Sequence, residues 1–281
     1  MEAEQKYGAL LGLLRATEGV LVAFSGGVDS SLLLVAAREA LGPRAVAAIG
    51  CSPSFPALER ERAVELVRLI GGEPLCIETT ELTDPVYRQN PPDRCFICKR
   101  TLFSALQELA ATQGLPVVVE GSNADDRLDY RPGMRAAQQM GVRAPLAEVG
   151  LTKTEIRALA RARRLAVWDK PSLACLASRI PYGSEITEER LARIDRAETA
   201  IRAQGFAQVR VRDHGDVARI EVAAEEIRTL ADPHTRQAVV AAVKSAGYCY
   251  VSLDLEGYRT GAMNEVLVPR APSLSTGEPS R

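Results

Sequence analysis

The sequence predicts an α/β protein: a doubly wound parallel sheet, then a second, smaller α+β domain. Three observations predict it. Short apolar runs alternate with amphipathic helical stretches through the first 165 or so residues. Breakers stand at the joints, at Gly42-Pro43, Gly71-Gly72, Gly114 and Gly141. The alternation then stops, and 281 residues at about 150 per domain leave room for a second domain.

The elements follow in order. A buried strand is expected over 19–24, a helix over 29–41, a strand over 45–49, a helix over 56–70 and a strand over 73–77. A helix over 99–112, a strand over 116–120, a short strand over 143–145 and a helix over 152–163 complete the first domain, 1–165. Residues 166–186 lack periodicity and read as an active-site loop or linker. In the second domain, 187–268, a helix over 188–204 starts with Thr187 as N-cap. Runs 207–212 and 218–222 make a hairpin around Asp213-His214-Gly215-Asp216, and two helices and a strand over 248–253 follow. The polar tail 269–281 reads as disordered.

Composition excludes several classes. Lys plus Arg number 35 and Asp plus Glu 36, a net charge of −1, so the chain is no basic nucleic-acid coat. Hydrophobic residues make up 46%, too many for a disordered chain. No apolar run approaches the ~20 residues of a membrane span. The first twenty residues lack a signal-peptide pattern, which makes the cytoplasm the expected address. The six cysteines are then not expected in structural disulfides. Cys76 and Cys249 lie in apolar strand-like runs and read as buried small hydrophobes; Cys51 ends a strand.

Ser25-Gly26-Gly27-Val28-Asp29-Ser30-Ser31 joins a buried strand directly to a helix. Glycines let backbone N–H groups turn toward a ligand, and the helix start adds partial positive charge. Three serine hydroxyls add donors, so the segment reads as a phosphate cradle at the carboxyl end of the first strand. It is not a Walker loop: there is no Gly-x-x-x-x-Gly-Lys, and Asp29 suits Mg²⁺ instead. The bland alternative is a capped strand-to-helix turn.

Cys95 and Cys98 are three apart at a helix start, where a thiol pKa is expected to fall. Cys175 sits in a loop beside Lys170 and Arg179, which would favour its thiolate too. Four readings stay open on the residues alone: structural zinc, a redox dithiol, an iron–sulfur cluster on all three cysteines, or Cys175 as sole sulfur donor. Zinc wants four ligands, and the two histidines, His214 and His234, fall in the second domain. Arg210 and Arg212 share a strand face, which suits a phosphate or carboxylate, or else cross-strand pairing with Glu221.

The Ser25 loop resembles the PP-loop of the N-type ATP pyrophosphatases, which hold ATP by its pyrophosphate and adenylate an oxygen. Gly121-Ser122-Asn123-Ala124-Asp125-Asp126 resembles that superfamily's second nucleotide segment, and Lys153-Thr154-Glu155-Ile156-Arg157 its later helix. Gly121, Asn123, Asp125 and Lys153 thereby join the loop as expected ATP contacts. Together with 90–99, 121–133, 170–182 and 209–215, the pattern resembles the LarE-type sulfur transferases over most of 20–222. That resemblance implies adenylation of pyridinium-3,5-biscarboxylic acid mononucleotide and its conversion to a thiocarboxylate, for the nickel-pincer cofactor of lactate racemase. In some members the loop cysteine gives up its own sulfur; others carry three cysteines and are thought to use a 4Fe–4S cluster. Having Cys95, Cys98 and Cys175, this chain departs from the single-cysteine version. The resemblance also makes Arg179, Glu198, Arg210, Arg212 and Glu221 candidates for handling the mononucleotide, and implies a homo-oligomer. Two rivals are a tRNA-thiolating enzyme, disfavoured by the near-neutral charge despite the arginine-rich stretch 157–164, and a non-catalytic ATP-binding or zinc-stabilised protein.

Overall fold

Val20, Leu21 and Val22 are wholly buried and make up most of the first strand, β1 (Val20–Ala23). A strand covered on both faces must be apolar on both, and the pleat sends alternate residues to opposite layers. Val20 and Val22 pack with Leu10, Leu14 and Leu32 of the helices Ala3–Arg15 and Val28–Leu41. Leu21 packs on the other side with Phe103 and Leu106 of the helix Arg94–Thr112. Each such side chain contributes about 1.5–3 kcal/mol by leaving water, so the layered core fixes where β1 ends.

β1 pairs in parallel with β2 (Ala45–Cys51) and with β4 (Val117–Val119), and β2 with β3 (Leu75–Glu78). The order is therefore β3-β2-β1-β4. The chain moves outward from β1 through β3 and returns on the other side of β1, so its direction reverses between β1 and β4. The carboxyl ends of those two strands form the crevice where open α/β sheets take ligands.

The computed structural model describes residues 2–128, 132–171, 174–259 and 261–267. The tail expected over 269–281, and Ser172 and Leu173 of the expected loop, lie outside the described residues. Two compact units divide the chain, Met1–Asp195 and Arg196–Arg281. The division falls within the helix Glu188–Arg202; Thr187 caps its start, accepting the Arg190 N–H at 3.2 Å. In the second unit β5 (Val209–His214) and β6 (Val217–Val222) form an antiparallel hairpin, and β7 (Tyr250–Leu253) joins β6 in parallel. The hairpin turns at Gly215, whose φ of +71° favours glycine. No described helix is long and apolar enough to cross a membrane.

Three expectations are corrected. The strand expected over 143–145 is a single bridge from Arg143 to Val119, because Pro145 opens the helical turn Pro145–Glu148 and has no N–H for a ladder. The helix expected from Lys99 begins at Arg94, which places Cys95 and Cys98 within its first two turns. Cys76 and Cys249 are exposed, not buried. Cys76 lies on an edge strand whose alternate residues turn outward, and Cys249 precedes β7. Cys51, last in β2, is half-buried.

Candidate active site

The loop after β1 is built from its own small residues. Gly26 has φ +70°, and a Cβ there would stand 3.0 Å from that of Ala63. Gly27 caps the helix, and Val28 anchors its first turn in the core. The hydroxyls of Ser30 and Ser31 donate to the Gly27 carbonyl at 3.2 and 2.8 Å. The Ser25 hydroxyl lies 3.2 Å from that of Ser30, and the Ser25 N–H donates to Ser30 Oγ at 3.3 Å. Lys170 closes the rim, donating to the Gly26 carbonyl at 3.0 Å and pairing with Glu59 at 2.7 Å.

The segment after β4 locks onto this loop. A Cβ on Gly121 would stand 2.9 Å from the backbone nitrogen of Ser30, so only glycine permits the approach. Asn123 Nδ2 donates to Asp29 Oδ1 at 3.3 Å, and its Oδ1 accepts the Asp125 N–H at 2.9 Å. Thr152 and Glu155 form a capping box that sets Lys153 first in the helix Lys153–Ala162. The Lys153 N–H donates to Asp125 Oδ2 at 2.8 Å, and its ammonium pairs with Asp29. Ser25, Gly26, Gly27, Val28, Asp29, Ser30, Ser31, Gly121, Asn123, Asp125 and Lys153 thus come together where the strand order reverses.

Cys98 and Cys175 are half-buried on an apolar cluster of Tyr87, Ile97, Leu176 and Ile180, while Cys95 is exposed. The three thiols are neighbours, since the charge of Cys175 acts on both Cys95 and Cys98. The expected fall in thiol pKa is reversed. Desolvation pushes Cys95 and Cys98 up, Cys175 adds to both and Glu81 adds to Cys98, against the smaller opposing effect of Lys99 on both and of Arg94 on Cys95. A helix start is worth under about 1 kcal/mol, whereas burial can move a pKa by several units. The cations expected to help Cys175 are committed elsewhere: Lys170 to Glu59, and buried Arg179 through Nη1 to the Ala174 and Cys175 carbonyls at 2.7 and 3.0 Å. Arg179 therefore shapes the cysteine loop. The loop is also tied to the segment that follows β2, as the Leu176 N–H donates to the Ser54 carbonyl at 2.8 Å. Among the described residues no group of three or more His, Cys, Asp or Glu is placed to hold a metal ion.

Two charged residues beside the thiols escaped sequence reasoning. Glu81 is wholly buried; one oxygen engages Ser52 and Ser54, and Oε2 has no hydrogen-bond partner. Nothing in the polar run around it marks it out. Arg94 is buried, with Nε and Nη1 unpartnered. One signal could have found it: a cation at the first position of a helix opposes the helix dipole, and broken local rules mark functional places.

In the second unit Arg210, Arg212 and Glu221 are all buried rather than on an exposed face. Arg212 makes a two-pronged pair with Glu221 at 2.9 and 2.7 Å, and Arg219 also reaches Glu221 at 3.1 Å. Arg210 lies over the Tyr258 ring at 5.1 Å and donates to the Val209 carbonyl. Glu198 accepts the Val211 N–H at 3.0 Å and pairs with Arg202 at 2.8 Å, pinning helix to strand. Of the arginine-rich stretch, Arg157 donates to the Lys170 carbonyl, Arg161 stacks on Trp168 and Arg163 pairs with Glu4.

No protein-family model matches the chain. Over 263 residues it is 36% identical to the pyridinium-3,5-bisthiocarboxylic acid mononucleotide synthase of Lactiplantibacillus plantarum, covering 93% of this chain and 95% of that one. The chain belongs to the LarE family. Membership makes it an enzyme of the sulfurtransferase class, as the resemblance implied. The family pattern extends to an uncharacterized Synechocystis protein, slr1717, at 42% identity over 94% of this chain and 98% of that one. An uncharacterized Methanocaldococcus jannaschii protein, MJ0830, is 26% identical over 86% of this chain and 91% of its own length.

Proposed function

We propose that the chain is an ATP-dependent sulfur transferase that adenylates a carboxylate of pyridinium-3,5-biscarboxylic acid mononucleotide, releases pyrophosphate and yields a thiocarboxylate for nickel-pincer cofactor synthesis. The observation that carries the reading is the close approach of Gly121 to Ser30, which joins two ligand-binding loops into one cradle at the strand-order reversal. The name of the L. plantarum relative supports the product.

The residues then have these roles. Backbone N–H groups of 26–30, at the helix start, hold the pyrophosphate of ATP, with the hydroxyls of Ser25 and Ser31 beside them. Asp29, partly exposed beside Asn123, suits Mg²⁺, which keeps few protein ligands and takes phosphate oxygens for the rest. Lys153 would then turn from Asp29 to the phosphates, offsetting charge as the substrate carboxylate attacks the α-phosphorus. Arg210 and Arg212 offer guanidiniums to the mononucleotide phosphate, with Glu221 orienting Arg212. Arg179 and Glu198 act as positioning residues.

For the sulfur, the donor set fits a 4Fe–4S cluster held by Cys95, Cys98 and Cys175. Three thiols, two of them half-buried on one apolar cluster, are the donor type that an iron–sulfur cluster would take. When bound, such a cluster would supply the sulfide. The protein's part is to keep the thiols together on the Tyr87–Ile180 cluster and to fix the loop of Cys175 through Arg179. A cytoplasmic setting and a homo-oligomer go with this reading.

The test is pyrophosphate release on adding the mononucleotide to anaerobically purified protein, with iron and acid-labile sulfide measured per chain. Release together with iron that Cys95→Ala removes is expected. Release without iron, and with a loss of the elements of H₂S from the protein mass, would transfer the donor role to Cys175 alone. Zinc in place of iron, without release, would overturn the enzyme reading in favour of a metal-stabilised binding protein.

A further inference from the structure

Arg94 keeps only 5% of its surface, and two of its nitrogens, Nε and Nη1, have no hydrogen-bond partner. A buried guanidinium with unpaired N–H groups is costly, because water has been removed and nothing replaces it. The helix offers no compensation: Arg94 is the first residue of Arg94–Thr112, where the dipole disfavours a cation. Its guanidinium lies 4.6 Å from the centre of the Tyr182 ring, an electrostatic contact with the ring face that uses none of its N–H donors. The cation is next in sequence to Cys95 and is held in place with the donors of two nitrogens unspent. Neighbouring cations have partners: Arg179 bonds Ala174, Cys175 and Ser178, Lys170 pairs with Glu59, and Lys99 faces Glu120 at 3.9 Å.

We propose that Arg94 is the anion-binding residue of the thiol site, receiving the substrate carboxylate that accepts sulfur while Tyr182 supports the guanidinium from its face. The inference rests on the sulfur-transfer reading for its choice of anion. A carboxylate has two acceptor atoms and matches a planar donor fork; a thiocarboxylate keeps that shape, so the same residue retains the product. Hydrosulfide is the competing anion at such a site. It offers a single acceptor atom and gains less from oriented N–H groups. Carboxylate binding to Arg94 transfers no atom or electron.

The experiment uses the full chain with pyridine-3,5-dicarboxylate as probe, titrated by calorimetry into wild type, Arg94→Gln and Arg94→Lys. ATP affinity serves as the check on folding. Arg94→Gln should weaken the probe roughly tenfold or more at unchanged ATP affinity, and Arg94→Lys should restore part of the loss. In turnover, Arg94→Gln should raise the KM for the mononucleotide more than it lowers kcat. Sodium hydrosulfide at equal concentration should not displace the probe. The proposal is overturned if wild type does not bind the probe, if Arg94→Gln binds it within about twofold of wild type, or if hydrosulfide binding alone depends on Arg94. Absent pyrophosphate release by wild type would sink the sulfur-transfer reading separately, since the probe titration does not depend on turnover.

Discussion

The loop after β1 and the buried arginines of β5, the two places proposed above for phosphate, are built on opposite plans. The loop presents backbone N–H groups and hydroxyls on a segment whose carboxylate, Asp29, is already matched by Lys153 and Asn123. The β5 face presents full charges, and Arg212 is matched beforehand by Glu221. The first plan stores its affinity in backbone shape, so it depends on which residues are small. The second stores it in buried charge, so it depends on keeping each charge compensated. A site of the first kind fails when a methyl group is added, and one of the second kind when a partner is taken away.

The largest expected effect tests the second plan. Glu221→Ala takes the two-pronged carboxylate away from buried Arg212 and should cost about 3 kcal/mol or more of stability in a denaturant titration. A loss below ~1 kcal/mol would show that the pair contributes no more than an exposed one and would erase the contrast. Next, Gly121→Ala pushes a methyl group to 2.9 Å from the Ser30 nitrogen. Overpacking of this kind costs about 1–3 kcal/mol, which should weaken ATP binding roughly tenfold or more while helix content is kept. Lys153→Met removes a partly exposed charge from a preformed cradle. It should raise the KM for ATP about tenfold and leave the melting temperature nearly unchanged, because the pair with Asp29 is partly solvated.

The smallest effect concerns pH. The Glu155 carboxyl is held below its ordinary range first by Lys6 and then by the Thr152 backbone. A carboxyl depressed in the folded state adds stability above its unfolded value, near pH 4.3, and loses it as the pH falls through the folded value. The pair sits near the surface, so the contribution is a few tenths of a kcal/mol. Glu155→Gln should lower the melting temperature slightly at pH 7, and by progressively less as the pH falls through the folded value. A loss that does not shrink with falling pH would make the capping box, rather than the charge, responsible.

What could be read from the sequence followed from how local each feature is. The strands and helices of the first unit declare themselves through short periods. The Ser25 loop is one unbroken segment whose glycines and serines carry their own reason for being there. Lys153 is placed by the resemblance of 153–157 to a superfamily helix, and the Thr152–Glu155 cap that sets it there emerges only from the structure. The thiol environment could not be read in this way. It draws on Ser52, Ser54, Glu81, Arg94 and the Cys175 loop, segments separated by long stretches of chain, and burial is a property of their assembly. The helix-start argument for Cys95 and Cys98 used a local field and missed the larger desolvation, so its sign came out reversed. Apolar neighbours suggested burial for Cys76, but an edge strand turns alternate residues outward whatever their polarity.

The bond from the Leu176 N–H to the Ser54 carbonyl has a consequence for engineering. It is a main-chain link, so side-chain substitutions nearby leave its span unchanged, while chain length does not. One residue inserted between Cys51 and Ser54 would add up to about 3.5 Å of slack to the tether that carries Cys175, with the cradle of β1 and β4 untouched. On the reaction proposed above, an enzyme altered in that way should still cleave ATP when substrate is present and discharge the activated product to water, turning a coupled reaction into an idle one.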